Sequence, residues 1–313
     1  MPISKTSGLI AAASQKATRP TLKLGSITVV QQIVLTFQQA GIFPIVVVTG
    51  VEADEVKYSL SGRGVVFLYN EEYQDPELFD SVCMGLDFLK NISERTVFAP
   101  VNVPLFSPET LRTLLATPGD IVTPSFNQKG GHPIVLANRT IPDILSYQGS
   151  EGLKGALAEM ENRRVRVDVS DEGILLNVHQ TDALKEHLKR NKEKYIHPYL
   201  RLSLEAEEEL INARAKLLLL LIGETHSVRT ASDMMAMSVS KAWNILNKLE
   251  AALGCALITR RKGGRTGSGS DLTSVGYKFL KAFQRYEEEV QQFCGERFDV
   301  LLHENDVFRP KIQ

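Results

Sequence analysis

The chain has 313 residues, enough for two domains of ordinary size, and its 43% hydrophobic and 23% charged residues are the balance of a globular protein. No apolar run approaches the roughly 18–20 residues of a membrane span, and Gly8–Ala13 is shorter than the roughly 7–15 residues of a signal-peptide core, so a cytoplasmic protein with no membrane partner is expected. A formal net charge of −1 argues against nucleic acid only if charge is evenly spread, and Cys83, Cys255 and Cys294 have no metal-ligand spacing and read as reduced structural thiols.

Strand and helix signals alternate along the first part of the chain. Ser7–Ala13 reads as a buried strand. Thr28–Ala40 has apolar residues at helical spacing and Gly41 as its stop. The β-branched run Ile45–Thr49 is typical of a central parallel strand. A helix over Val51–Leu60, a strand over Val65–Leu68, a helix over Phe79–Leu89 and a strand over Thr96–Val101 follow. Ser107-Pro108-Glu109 opens a helix with a cap, a proline at the first helical position and an early acid. Ile121–Pro124 and Ile134–Leu136 continue the pattern. Repeated β-α-β units predict an open, mostly parallel Rossmann-like sheet with helices on both faces. Ligands bind such sheets at the carboxyl ends of the strands, here Ala11–Arg19, Thr49–Ala53, Val101–Pro104 and Asn127–Pro133.

The highly charged stretch Lys185–Tyr199 reads as a solvated helix or linker. It divides an α/β domain over residues 1–195 from a second domain over 200–300, with 301–313 a tail. Beyond it a helix is predicted over Glu205–Ile222, acidic at its start as the helix dipole favours and closed by Gly223. A second helix covers Val228–Met235, Ala236-Met237 makes a turn, and Ser238 caps a third helix that stops at Gly254. A short strand (Ala256–Thr259), a basic glycine-rich loop and a final helix from Ser274 to about Phe293 complete the chain.

This half is basic in spite of the chain average. Between Ser227 and Lys281 the nine cations Arg229, Lys241, Lys248, Arg260, Arg261, Lys262, Arg265, Lys278 and Lys281 face only Asp233, Glu250 and Asp271. Two helices joined by a tight turn and followed by a basic, glycine-rich loop predict a winged helix-turn-helix, whose second helix enters the major groove of double-stranded DNA. Its first turns carry Ser238, Ser240, Lys241 and Asn244, side chains that reach base edges. Arg260, Arg261, Lys262 and Arg265 on the loop supply charge for phosphate oxygens or the minor groove. Val239, Ala242, Trp243, Leu246 and Leu249 form the packing face.

Two family resemblances accompany these readings. Gly223–Val228, Ser240-Lys241-Ala242-Trp243 and Gly263–Gly276, with its glycine-rich wing running into Leu272-Thr273, resemble the winged-helix domain of ModE-type molybdate-responsive regulators. That resemblance implies a homodimer. Leu9–Ala13, Arg19-Pro20, Leu24-Gly25, Val46–Gly50, Asn70 with Tyr73, Pro104-Leu105, Gly131-His132-Pro133 and Gly173–Val178 are similar to the MobA-like nucleotidyltransferases, which attach CMP or GMP to molybdopterin. This second resemblance implies a nucleotidyltransferase-type sheet and a nucleotide or molybdopterin-type ligand near Ala13, Arg19, Asn70, Ser81, Asn102 and His132.

The chain departs from the MobA-like pattern where the chemistry lies. Alanine stands for glycine in the phosphate loop, Thr21 follows Arg19-Pro20 where a lysine is expected, and Asn102 takes the place of the metal-binding aspartate. Asn177 and His179 occupy the two late acidic positions. Nucleotidyl transfer needs carboxylates for Mg²⁺, so no catalytic and no metal residue is assigned. The leading expectation is a DNA-binding transcription regulator linked to molybdenum or molybdopterin metabolism, whose degenerate nucleotidyltransferase-like domain senses a small-molecule effector. The alternative is an active, Mg²⁺-dependent molybdopterin cytidylyl- or guanylyltransferase carrying a regulatory DNA-binding domain.

Overall fold

The computed structural model describes residues 4–13, 20–50, 52–71, 78–205, 209–264 and 267–304. The chain divides into two compact units, one of Met1–Leu60, Leu68–Tyr199 and Phe298–Gln313, the other of Ser61–Phe67 and Leu200–Arg297.

The first unit is mixed α/β. In chain order it contains β1 (Ser4–Ala12), the short ladder β2 (Lys23–Leu24) and β3 (Ile27–Thr28), α1 (Val29–Gln39), β4 (Ile45–Thr49), α2 (Ala53–Ser59), β5 (Val66–Tyr69), α3 (Leu78–Leu89), β6 (Ser93–Pro100) and α4 (Pro108–Ala116). Then come β7 (Ile121–Phe126), β8 (Lys129–Gly130), β9 (Ile134–Ala137), α5 (Ile141–Ser146), α6 (Gly152–Glu159), β10 (Arg164–Asp168) and α7 (Thr181–Arg190). The sheet order is β10-β7-β9-β6-β1-β4-β5, with β8 paired to β7.

Strand β1 is parallel to β4 and β6, and β10 is parallel to β7. The expected open, mostly parallel sheet is therefore present, with one departure. Strand β9 lies between β6 and β7 and is antiparallel to both. The sheet buries its centre completely: Leu9, Ile10 and Ala11 of β1 and Val46, Val47 and Val48 of β4 have no accessible surface. Such continuous apolar runs are what a strand covered on both faces requires. Thr28 starts α1 with a full capping box, its hydroxyl accepting from Gln31 N while the Gln31 amide oxygen accepts from Thr28 N. Ser107 caps α4 ahead of Pro108.

The charged stretch at the end of this unit is not wholly solvated as its composition suggested. Leu184 and His187 of α7 are buried, at 0% and 2% exposure. Tyr195 lies in a 3₁₀ turn (Lys192–Tyr195); its hydroxyl donates to Leu105 O (2.6 Å) and lies 3.1 Å from His187 Nε2. Burial holds the His187 pKa below the ordinary histidine value and the Tyr195 pKa above that of a free phenol.

The second unit contains the short ladder β11 (Leu204–Glu205) and β12 (Glu209–Ile211), then α8 (Ala213–Thr225), α9 (Val228–Met234), α10 (Val239–Leu253), the hairpin β13 (Ile258–Gly264) and β14 (Gly267–Leu272), and α11 (Ser274–Glu304). Helix α9 packs on both α8 and α10, and α8 packs on β14. The helix expected from Glu205 begins instead at Ala213, because extended Asn212 accepts from Arg214 N and Ala215 N with one side-chain oxygen (2.9 Å each). Nor does Gly223 end it. A Cβ there would stand 3.1 Å from a Leu272 methyl, so the glycine makes room for β14. The helix closes at His226, in the left-handed conformation (φ 54°). Helix α11 runs well beyond Phe293, supported by i, i+4 pairs such as Arg285 with Glu289 (2.9 Å). The basic loop expected after Thr259 is largely a β-hairpin.

The core of this unit is Leu217–Ile222 of α8, all at 0% exposure, with Leu246, Leu249, Leu257 and Leu280. Lys216 is buried beside them and ion-paired to Glu287. Among the described residues no helix is long and apolar enough to cross a membrane.

Gly173 positions the segment after β6, because a Cβ there would stand 1.8 Å from Leu105 O. Gly173→Ala is expected to lower stability by about 1–3 kcal/mol, the ordinary cost of overpacking, read as a drop in thermal midpoint. An unchanged midpoint would contradict the packing.

Candidate functional site

The parallel strands all point one way, so their carboxyl ends form one edge. Along it, from β6 to β5, lie Asn102 just beyond β6, Ala13 beyond β1, Thr49 at the end of β4 and Asn70 beyond β5. Backbone bonds tie the edge together: Val101 N donates to Ala11 O (3.1 Å) and Asn70 N to Thr49 O (2.9 Å). Because β9 runs the other way, its amino end reaches this same edge and brings Gly131-His132-Pro133 with it.

His132 lines a cavity of about 890 Å³ in this unit. Phe79, Val82, Phe98 and Leu157 give it an apolar side, and Thr123, Arg164 and Arg166 a polar one. The His132 ring stands edge-on to Phe98 (5.8 Å between centroids). Its backbone N donates to Ile174 O (3.0 Å), and Gly131 must lack a side chain because a Cβ would lie 2.5 Å from that same carbonyl. The residue keeps partial exposure, yet its Nδ1 is sealed from solvent and has no hydrogen-bond partner. Burial lowers its pKa to about 4, so the ring is neutral at physiological pH.

Among the described residues of this unit, Asn102 Oδ1 and Arg164 Nε are also buried without a hydrogen-bond partner, as is Arg95 Nε on β6. Such atoms are rare in folded proteins and mark strain or a ligand position. Arg164 also ion-pairs through its guanidinium with Glu161 (2.9 Å).

The six residues expected to bind a ligand are thus placed differently. His132 lines the cavity. Asn102 presents an unpartnered oxygen at the sheet edge, and its backbone carbonyl accepts from Val178 N (3.0 Å), which brings the Asn177–His179 segment alongside. Ala13 is buried at the end of β1. Asn70 and Ser81 are buried and bonded to each other (3.1 Å). Arg19 lies outside the described residues, as does most of the phosphate-loop segment.

Arg164 and Arg166 were missed by sequence reasoning. The alternation Arg164-Val165-Arg166-Val167 carried the signal, since a period of two puts both cations on one face of a strand. Asp171 was missed too. It is fully engaged, accepting from Ser107 N (2.8 Å), Thr110 Oγ1 (2.7 Å) and Gly173 N (3.0 Å), and it fixes the start of α4.

The residues present do not fit Mg²⁺. The ion takes carboxylate oxygens in near-octahedral geometry, and Asn102 offers a neutral amide oxygen where the MobA-like pattern has a carboxylate. His179 is exposed, and Asn177 Oδ1 accepts from His179 N (3.1 Å). Among the described residues no group of three His, Cys, Asp or Glu side chains stands close enough to hold a metal ion.

In the second unit, Ser240, Lys241 and Asn244 are exposed on the first turns of α10. Ser238 is exposed as well, but its hydroxyl accepts from Lys241 N (3.3 Å) and so serves as the helix cap. Ala242, Leu246 and Leu249 form the buried face, with Val239 and Trp243 at its margins. Arg260 is exposed on β13 and lies over the Trp243 ring. The backbone of Arg261 and Lys262 belongs to β13, while their side chains, and Arg265 altogether, lie outside the described residues. All three cysteines are free and half-buried.

The His132 environment gives stability a definite pH dependence. Its folded pKa lies below the roughly 6.5 of an unfolded histidine, so the unfolded chain binds more protons between the two values. This contribution is complete above pH ~6.5 and is lost as pH falls towards 4, by at most ~3 kcal/mol. His132→Phe should remove that part of the pH slope in thermal unfolding between pH 4 and 7. An identical slope in the variant would refute the buried neutral ring.

Residues 14–165 match the family described as MobA-like NTP transferase domain. No curated protein matches the chain. Among solved structures, a nucleotidyl transferase from Methanothermobacter thermautotroptrophicus is similar at a TM-score of 0.52 and 22% identity, over 60% of this chain and 98% of that one. The manganese complex of Rv0371C from Mycobacterium tuberculosis gives 0.45 and 19% (58% and 98% covered), and 4-diphosphocytidyl-2C-methyl-D-erythritolsynthase from Anaerococcus prevotii gives 0.47 and 16% (60% and 97% covered). At these identities the likeness to the Methanothermobacter protein is one of fold, and it sets the first unit of this chain among nucleotidyltransferase-type sheets.

Proposed function

We propose that this chain couples a nucleotidyltransferase-type domain (residues 1–195), which binds a nucleotide or molybdopterin-type ligand, to a winged helix-turn-helix domain (residues 200–300) that binds double-stranded DNA as a homodimer. It is a transcription regulator linked to molybdenum or molybdopterin metabolism. The ligand half rests on the cavity at the edge of the family-matched sheet, where His132 and Arg164 each carry a buried atom with no partner. The DNA half rests on α9, α10 and the β13–β14 hairpin, which present Ser240, Lys241 and Asn244 on one exposed face. A ligand with different affinity for two states of the protein shifts its DNA affinity by that difference.

A second reading is active transfer of CMP or GMP to a molybdopterin-type acceptor. The match of residues 14–165 to the MobA-like NTP transferase domain favours it; the amide of Asn102 in place of a carboxylate weighs against it.

One experiment separates the two. Thermal stability is followed with CTP, GTP and molybdopterin, each with and without Mg²⁺, and pyrophosphate is assayed in the mixtures containing all three components. Stabilisation by a ligand without Mg²⁺ and without pyrophosphate is the expected result for a sensor. Mg²⁺-dependent stabilisation with pyrophosphate release establishes the transferase instead, and no stabilisation by any of them sinks the ligand half. For the DNA half, Lys241→Ala should weaken binding to duplex DNA and, if Lys241 meets a phosphate, lower the slope of log K against log salt by roughly one. Unchanged affinity would remove Lys241 from the interface.

A further inference from the structure

Arg260, on β13, is held by side chains of the neighbouring helix α10. Its guanidinium lies 4.8 Å from the centroid of the Trp243 ring. Its Nη2 donates to Asn247 Oδ1 (2.9 Å) and lies 3.5 Å from Glu250 Oε2. Trp243, Asn247 and Glu250 all belong to α10, so three side chains of one helix hold a single arginine of the neighbouring strand. Glu250 is itself fixed, because its Oε1 accepts from Leu257 N (2.8 Å) and Ile258 N (3.0 Å) at the start of β13.

The helix geometry shows where this clamp sits. At 100° per residue, Glu250, Trp243 and Asn247 follow one another around α10 and lead directly to exposed Ser240 and Asn244. Arg260 therefore extends the same exposed face sideways. Its side chain remains 57% exposed. Among the described residues, one of its five donors is hydrogen-bonded, to Asn247.

The charge environment decides what this arginine suits. A cation that neutralises phosphate adds to affinity by releasing counterions, but Arg260 already has a carboxylate beside it. What it keeps is a planar fork of donors in a fixed orientation, stacked on an aromatic ring. That is the equipment for two adjacent acceptors in a plane, and in the major groove guanine O6 and N7 are such a pair.

We propose that Arg260 is a specificity-determining side chain that reads a guanine edge, and that Trp243 and Asn247 are positioning residues that orient it. The assignment rests on the DNA-binding reading of the second unit. It removes Arg260 from the set whose basic neighbourhood pointed to phosphate oxygens or the minor groove.

The test begins with the full chain and a pool of randomised DNA duplexes carried through rounds of selection. Wild type should enrich a sequence containing a fixed G·C pair, and Arg260→Ala should lose the preference at that pair with a roughly 10- to 100-fold weaker affinity and an unchanged salt slope. Arg260→Lys, which keeps the charge and loses the fork, should behave like the alanine variant, and Asn247→Ala should relax the same position. If Arg260→Lys keeps the wild-type sequence preference while Arg260→Ala lowers the salt slope by about one, Arg260 is a phosphate contact and the assignment is wrong. If the variants lose only thermal stability and select the wild-type sequence, the clamp is structural and the assignment is again wrong. Failure of wild type to retain any duplex overturns the DNA reading itself, and the role of Arg260 with it.

Discussion

Strand β9 runs against both of its neighbours, and the arrangement of the α/β unit's cavity depends on that reversal. In an entirely parallel sheet the amino end of every strand lies on the edge opposite the ligand site. Here the pairing of Phe98 with Ile134 puts Gly131-His132-Pro133 beyond the carboxyl end of β6. Gly131 then fits under Ile174 O only because it has no Cβ. The same contact carries the bond from His132 N to Ile174 O, so the late segment and the reversed strand hold each other. The cavity has a histidine on its wall because one strand enters the sheet backwards.

Two groups of this unit are uncharged: the amide of Asn102 at the sheet edge and the ring of His132 on the cavity wall. An ionised aspartate at the position of Asn102, sealed from water, would need a cation beside it to offset its desolvation. An amide oxygen there costs far less to bury, though it still costs the hydrogen bond it does not make. His132 follows the same logic, since burial keeps its ring neutral. Positive charge on the wall is supplied by Lys154, Arg164 and Arg166, part of which Glu151 and Glu161 compensate. A site so composed is suited to hold a ligand through hydrogen bonds and an apolar face.

Much of this architecture was legible in the residues. The capping box at Thr28, the Ser107-Pro108-Glu109 start, the β-branched run at Ile45–Thr49 and the Ser238 and Gly254 ends of α10 are each local signals that tertiary packing had no reason to override. The direction of β9 was not legible, because a four-residue apolar strand has the same pattern whichever way it runs. Nor was the start of α8. Glu205–Ile222 has helical composition throughout, yet two bonds to a single Asn212 oxygen fix the boundary eight residues later than that composition suggests.

The second unit shows the same limit in its charges. Composition counts Arg260 among the cations of a basic loop, and by composition it is equivalent to its neighbours. The fold gives it a partner, because Glu250 places one oxygen on the backbone at the start of β13 and turns the other towards Arg260. One acidic residue thereby joins helix to hairpin and offsets part of the charge of Arg260. Net charge over a segment predicts attraction to a polyanion. It does not identify which cations remain free to provide it, since that depends on pairs formed across many residues of sequence.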